Sequence, residues 1–360
     1  MRVIVTAGGT GGHIYPALAL IDKIKQMEPD SEFLYIGTHN RMEKDIVPKR
    51  GIPYAMIEIY GFNKKKLFKT AFYLMKSFGR CRKIIKNFKP DVVVGFGGYV
   101  TFPVVCSAST LGIKTFIHEQ NSIPGKSNRV LEKYVDEIGI SFRSSSKYFK
   151  KDKTVLTGNP CSESALLAKP FDKTTLGLTN GKRLVLVVMG SLGSLTIGNE
   201  LIKCFDKFAA KDYEVLFITG TKQYDRYKDI KCPSNVKIIP FYEGLTSVLK
   251  RTDLVITRAG ASTLSEIISL QVPSILIPSP YVANNHQYIN AKDLCDNGAA
   301  LMIEEKDITE DKILGLIDEV LNSPDKRASM KDNLKKLGVN DSASIIYNEL
   351  RRLVDGKSNK

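Results

Sequence analysis

The chain has 360 residues, 43% apolar and 25% charged, which fits a globular protein of roughly two domains, each large enough for its own core. Its six cysteines are scattered, with no C-x-x-C and no neighbouring histidine pair, which argues against a disulfide framework or zinc ribbon and for buried thiols in a reducing cytoplasm. The net charge is +15, but ten of the Lys and Arg residues lie in Asn63–Lys89 without one acid, so a nucleic-acid surface is not expected.

The β-branched run Val3–Val5 stops at Thr6, and glycines at 8, 9, 11 and 12 lead to His13. Glycines at that density let the backbone turn sharply and let a ligand approach the main chain. Ile14–Met27 has apolar residues at helical spacing, including Leu18, Ile21 and Ile24. The unit is strand, glycine turn, helix, and the helix N-terminus offers N–H groups to whatever occupies the turn. The first residues read as a strand and not as a charged-then-apolar leader, so no signal peptide is expected.

In the basic segment, apolar residues at 67, 71, 74, 78, 81, 85 and 88 make one helical face. Phe68, Phe72 and Met75 lie about a third of a turn off that stripe, with Lys69, Lys76, Arg80 and Lys83 just beyond. Aromatics entering a headgroup layer while lysines attract anionic lipid would explain both features. A solvated basic face whose aromatics pack on a neighbouring loop is the alternative.

Asp91–Val94 runs into a second glycine turn, Gly95–Tyr99. Val92–Ile113 is uncharged over 22 residues, yet its glycines and Pro103 divide it into strand, loop and buried helix, which argues against a membrane span. Gly125-Lys126-Ser127 resembles the tail of a phosphate loop, but Gln120 stands where its first glycine belongs. The strand and turn Thr154–Pro160 close the first domain, residues 1–160. A polar, irregular stretch follows from Cys161 to Lys182, and a second domain, 161–341, restarts at Leu184–Val188 with a third glycine turn, Gly190–Ser194. A last helix, about 342–355, has apolar Ile345, Ile346, Leu350 and Leu353; its return to the first domain is one expectation, which the pattern by itself does not establish.

Three such units predict an α/β, doubly wound architecture with ligands beyond the carboxyl ends of the strands. None is a dinucleotide fingerprint, because Gly8–His13 lacks the last glycine of G-x-G-x-x-G and no acid ends a second strand at the usual distance. No D-x-D occurs, so neither a carboxylate-held metal nor another cofactor is expected. In Thr257–Glu266, Thr263 and Glu266 fit a capping box. The competing reading places the Glu266 carboxylate on two vicinal ribose hydroxyls. Gln287, after the polar loop Tyr281–His286, suits sugar hydroxyls or stands as a solvated amide.

The stretches TAGGTGGHIYPALA, GFGGYVTFP, HEQNSIPGKSNR, TGNP, RAGASTLSE and NHQYIN occur in one order over nearly the whole chain. Together they resemble the MurG family of GT-B glycosyltransferases. The resemblance implies two Rossmann-like doubly wound domains facing across a cleft. It also implies transfer of N-acetylglucosamine from UDP-N-acetylglucosamine to lipid I, at the cytoplasmic face of the membrane as a peripheral enzyme, with cell-wall synthesis proteins as further partners. It places Thr10, Gly11 and Gly12 where donor and acceptor meet, and His13 beside the attacking hydroxyl. Asn121 falls on the transferred sugar, Ser191 on the donor diphosphate and Tyr242 at the uracil. Ala261, Ser262, Thr263, Leu264, Ser265 and Glu266 line the nucleotide and sugar, with Glu266 on the ribose, and Gln287 on N-acetylglucosamine. The implied chemistry is inverting, with His13 as general base, although His39, His118 and His286 compete for that role. The sequence departs from the family at Leu192, where glutamine is usual, and at Cys161 and Ser162, where an arginine commonly follows G-N-P. Rival functions are a diacylglycerol-dependent glycolipid synthase, a UDP-sugar epimerase and a non-catalytic nucleotide-sugar-binding regulator.

Overall fold

The computed structural model describes residues 1–59, 67–190 and 193–356, without the side chains of 67–71. Its first strands and helices are β1 (Arg2–Thr6), α1 (Gly11–Met27), β2 (Glu32–Thr38), α2 (Glu43–Lys49), β3 (Tyr54–Ile57) and α3 (Leu67–Phe88). Next come β4 (Val92–Gly95), α4 (Thr101–Thr110), β5 (Lys114–Glu119), α5 (Lys126–Leu131), β6 (Glu137–Ile140), β7 (Thr154–Leu156) and α6 (Pro160–Leu167). The chain goes on with β8 (Leu184–Val188), α7 (Leu195–Lys203), α8 (Phe205–Phe208), β9 (Glu214–Ile218), β10 (Val236–Ile239), α9 (Leu245–Leu249), β11 (Leu254–Thr257) and α10 (Ala261–Leu270). It ends with β12 (Ser274–Leu276), α11 (His286–Asp296), β13 (Leu301–Met302), α12 (Glu310–Leu321), α13 (Pro324–Leu337) and α14 (Ser342–Asp355). Two compact units result: Met1–Glu163 with the chain from Val339 onward, and Ser164–Gly338.

The first unit holds a seven-stranded parallel sheet in the order β3-β2-β1-β4-β5-β6-β7. Its strands read as continuous apolar runs because helices cover both faces. Side chains alternate between those faces. Val3, Val5, Val92 and Val94 pack with Ile14, Leu18 and Ile21 of α1 and with Ile346, Leu350 and Leu353 of α14. Ile4, Val93 and Ile117 pack on the other side with Cys81 and Ile85 of α3 and Val104 and Val105 of α4. Helix α14 is further tied down by Tyr347, whose hydroxyl donates to Glu28 (2.9 Å), and by an Arg351–Glu28 ion pair (3.2 Å). The second unit's sheet is parallel over six strands, β10-β9-β8-β11-β12-β13.

The start of the stretch read as irregular is helical. Pro160 opens α6 with its φ preset, and the Asn159 side chain accepts from the Cys161 N–H (3.1 Å), as a cap does. Farther along, buried Lys173 pairs with buried Glu214 on β9 (3.1 Å), fastening a polar segment to the sheet. Among the described residues no helix is long and apolar enough to cross a membrane; the uncharged run 92–113 is β4, the second glycine turn and α4.

Candidate active site

In each sheet the strand order reverses beside the first strand, between β1 and β4 and between β8 and β11. A crevice at such a switch point is where open α/β sheets bind ligands.

In the first unit this point joins two of the glycine turns. The Gly8 N–H donates to the Gly97 carbonyl (3.3 Å), and the His13 ring packs on Gly97, where a Cβ would lie 3.0 Å from Cδ2. Gly97 has φ +103°, open to glycine and strained for other residues. His13 Nδ1 lies 3.1 Å from the Gly8 carbonyl, which can only accept, so Nδ1 carries a proton, and in the neutral imidazole the lone pair is then on Nε2. The Thr10 hydroxyl oxygen, 3.3 Å away, is a second acceptor for the same N–H. Thr10 caps α1 in extended backbone, and Gly11 and Gly12 form its first turn.

One strand over, Glu119 ends β5 and is buried. One carboxylate oxygen accepts from the N–H (3.0 Å) and Nδ2 (3.2 Å) of Asn121, the other from Gly125 N–H (3.0 Å) and Asn128 Nδ2 (2.9 Å). It thus fixes the loop that carries Asn121. His118 does not compete with His13. It is fully buried, donates from Nε2 to the Gly158 carbonyl (2.8 Å), accepts at Nδ1 from Gln120 (3.1 Å), and burial pushes it down to about 4. His286 opens α11 in the other unit, and His39 lines a cavity of ≈ 290 Å³ with Met56, Ser77 and Arg80.

In the second unit the switch point brings Arg258, just after β11, to the third glycine turn. Its guanidinium donates to Ser194 Oγ (3.1 Å), to the Ile277 (3.1 Å) and Pro278 (3.3 Å) carbonyls, and to Glu305 (2.6 Å). One planar fork therefore ties together the ends of three segments. Sequence reasoning passed over Arg258 and Glu305 because their pairing spans 47 residues. Ser191 lies outside the described residues.

Glu266 is not a capping-box residue. Helix α10 begins at Ala261 with Gly260 as its cap, so Thr263 and Glu266 both lie inside the helix. Among the described residues no donor reaches the half-buried Glu266 carboxyl, and burial pushes it up to about 7. On the same helix Ser262 Oγ is buried and has no partner among the described residues. Ala261, Leu264 and Ser265 are buried, and Thr263 is half-buried. Gln287 stands in the first turn of α11, not in a loop, and its carbonyl oxygen accepts from the Ser279 N–H (2.9 Å). Asn290 Nδ2 donates to the Ala259 carbonyl (3.2 Å) and holds α11 against the β11–α10 turn. Tyr242 packs edge-on against Phe171 (5.7 Å). Among the described residues no group of three or more His, Cys, Asp or Glu could hold a metal.

Two family models match the chain, the second running past Gly338 into residues 339–346 of the first unit. The glycosyltransferase family 28 N-terminal domain matches residues 3–140 and the family 28 C-terminal domain matches residues 184–346. The UDP-N-acetylglucosamine–N-acetylmuramyl-(pentapeptide) pyrophosphoryl-undecaprenol N-acetylglucosamine transferase of Bacillus cytotoxicus is 45% identical, over 98% of this chain and 100% of that protein. The Bacillus licheniformis protein of that name is 44% identical, over 98% of this chain and 99% of its own. The crystal structure of Acinetobacter baumannii MurG matches with TM-score 0.80 and 25% identity, over 98% of this chain and 99% of that one. The chain belongs to the MurG family. Its fold is GT-B.

Against the MurG family pattern, the departure after TGNP has a structural counterpart. Cys161 is buried, and Ser162 Oγ lies 2.8 Å from Ser342 Oγ and donates to the Val339 carbonyl (3.0 Å). Ser162 therefore faces the joint with α14, and its hydroxyl is engaged there.

Proposed function

We propose that this chain transfers N-acetylglucosamine from UDP-N-acetylglucosamine to the C4 hydroxyl of N-acetylmuramic acid in undecaprenyl-pyrophosphoryl-MurNAc-pentapeptide (lipid I), giving lipid II. The observation that carries the reading is His13 at the β1/β4 switch point, with Nδ1–H bonded to the Gly8 carbonyl. That bond leaves the Nε2 lone pair as the base for the attacking hydroxyl. The names of relatives 44–45% identical over whole chains support the substrates.

The transfer is inverting and metal-independent. The hydroxyl oxygen forms its bond to C1 as the bond from C1 to the diphosphate breaks on the opposite face. His13 takes the proton, and the leaving UDP takes the electron pair. Its negative charge falls to the N–H groups of the turn before α7 and to Ser191. Glu266 receives the ribose hydroxyls, and Tyr242 sits at the uracil. The sugar is held by Asn121, Gln287 and the α1 turn of Thr10, Gly11 and Gly12, and Ala261–Ser265 line the nucleotide.

The acceptor's lipid tail keeps it in a membrane, and α3 is the surface offered to it. Phe72 is 64% and Met75 76% exposed, while Cys81, Ile85 and Ser77 on the opposite side are buried. Lys76, bridged to Glu58 (3.1 Å), and Lys83 are exposed beside them. The side chains of Phe68 and Lys69 lie outside the described residues. Each basic residue near an anionic surface contributes about 1 kcal/mol, screened by salt. Binding to phosphatidylglycerol vesicles is therefore expected to weaken as salt rises and to fall sharply in the Phe72→Ser, Met75→Ser double variant, measured by sedimentation. Activity on a short-chain soluble acceptor should survive. Unchanged vesicle binding would move the membrane contact elsewhere.

The activity itself is tested by UDP release from UDP-N-acetylglucosamine with lipid I, with diacylglycerol and with no acceptor. Release only with lipid I is expected. Release with diacylglycerol would favour a glycolipid synthase, and epimerised UDP-sugar without acceptor would favour an epimerase.

A further inference from the structure

Glu43, the first residue of α2, is fully buried, and among the described residues no cation pairs with it. Its carboxylate meets backbone and hydroxyl donors instead. Oε1 accepts from the N–H (3.1 Å) and Oγ1 (2.6 Å) of Thr38, and Oε2 accepts from the N–H of Gly9 (3.2 Å). The glycine turn is moulded to it: a Cβ on Gly8 would lie 2.7 Å from Oε1. A buried carboxyl group met by backbone and hydroxyl donors, with no ion pair among the described residues, is costly to fold around, so it invites a use.

The use follows from one peptide plane. The Gly9 N–H and the Gly8 carbonyl belong to the same rigid trans amide, and in such an amide the two bonds point in opposite directions. Glu43 grips the N–H, and the carbonyl on the other side accepts from His13 Nδ1 (3.1 Å). A carboxylate on the N–H also polarises the amide and makes its oxygen a better acceptor. The preceding amide, Ala7–Gly8, is pinned at both its ends as well, by Tyr35 OH to the Ala7 carbonyl (3.0 Å) and by Gly8 N–H to Gly97 (3.3 Å).

We propose that Glu43 is a positioning residue for the transfer reaction, setting the tautomer of His13 through the Gly8–Gly9 amide. This rests on the reading of His13 as the base. Glu43 itself touches neither substrate.

The chain has four histidines, so ¹⁵N-histidine NMR resolves the ring tautomers, with His13→Gln assigning the signal. In the wild-type protein His13 is expected as the Nδ1–H tautomer; an Nε2–H tautomer there overturns the proposal without any Glu43 variant. Glu43→Met, which keeps the bulk and removes the acceptor, should shift His13 toward Nε2–H. It should also lower kcat about tenfold or more, with KM for UDP-N-acetylglucosamine unchanged. Thr38→Val loosens the same pocket but leaves the Gly9 contact, and should keep both the tautomer and kcat. Equal losses in Thr38→Val and Glu43→Met would reduce Glu43 to a packing role and overturn the proposal. A tautomer that moves while kcat stays would instead refute His13 as the base, and with it the positioning role.

Discussion

Replacing His13 by alanine is expected to lower turnover by a factor on the order of 10² to 10⁴, the usual worth of a general base. UDP-N-acetylglucosamine affinity should change little, because the nucleotide contacts proposed for the donor lie on the second unit and His13 belongs to the first. The structure sharpens this expectation. The Nδ1–H bond to the Gly8 carbonyl commits one ring nitrogen as donor and makes Nε2 the basic one. Steady-state kinetics with lipid I, beside calorimetry with the UDP-sugar, separates the outcomes. Near-normal turnover would remove His13 from the mechanism. A large loss of donor binding with turnover at saturation intact would make it a structural support of the glycine turn.

Glu266 gives the second large effect. A carboxylate that accepts ribose hydroxyls is common to UDP and to UDP-N-acetylglucosamine, so Glu266→Ala should weaken both by roughly 1.5–3 kcal/mol. Its pH dependence has a definite sign. Burial holds the carboxyl up at about 7 in the free protein, whereas hydroxyl donors favour the ionised form. Binding therefore requires loss of a proton below that value, and affinity for UDP-N-acetylglucosamine should rise from pH 6 to pH 8. The donor's diphosphate, esterified at both ends, does not titrate in this window. Glu266→Gln should flatten the profile. Stability runs the other way: a carboxyl raised above its unfolded value of 4.5 stabilises the fold below that pH and loses the contribution as pH rises through about 7. A flat wild-type binding profile with unchanged UDP affinity in Glu266→Ala would remove the ribose contact.

The local elements were legible in the sequence because their signals are local. Continuous Val and Ile runs ending in glycines announce buried parallel strands and their turns, and the three- and four-residue spacing of 67–88 announces one apolar helical face. Ile346, Leu350 and Leu353 showed that the last helix had a face to bury, but not on what; the answer lies in contacts with α1, more than 300 residues earlier in the chain. The same limit governed the polar residues. From sequence, Thr263 and Glu266 satisfied a capping box, yet the helix starts two residues before Thr263 because Gly260, in extended backbone, takes the cap. Cys161–Leu167 read as irregular, since its small and polar residues carry no amphipathic stripe, and only α14 and the Asn159 cap make it a helix. No motif in the sequence singles out Glu43. Its carboxylate reaches the N–H of Gly9, 34 residues away, because parallel pairing of β1 with β2 brings the chain after each strand to the same edge. Motifs thus determined which residues this chain has for chemistry. Burial and long-range hydrogen bonding decided that His118 is locked away, which carboxyl has no donor among the described residues, and which peptide meets the His13 ring, since each depends on partners that sequence spacing does not encode.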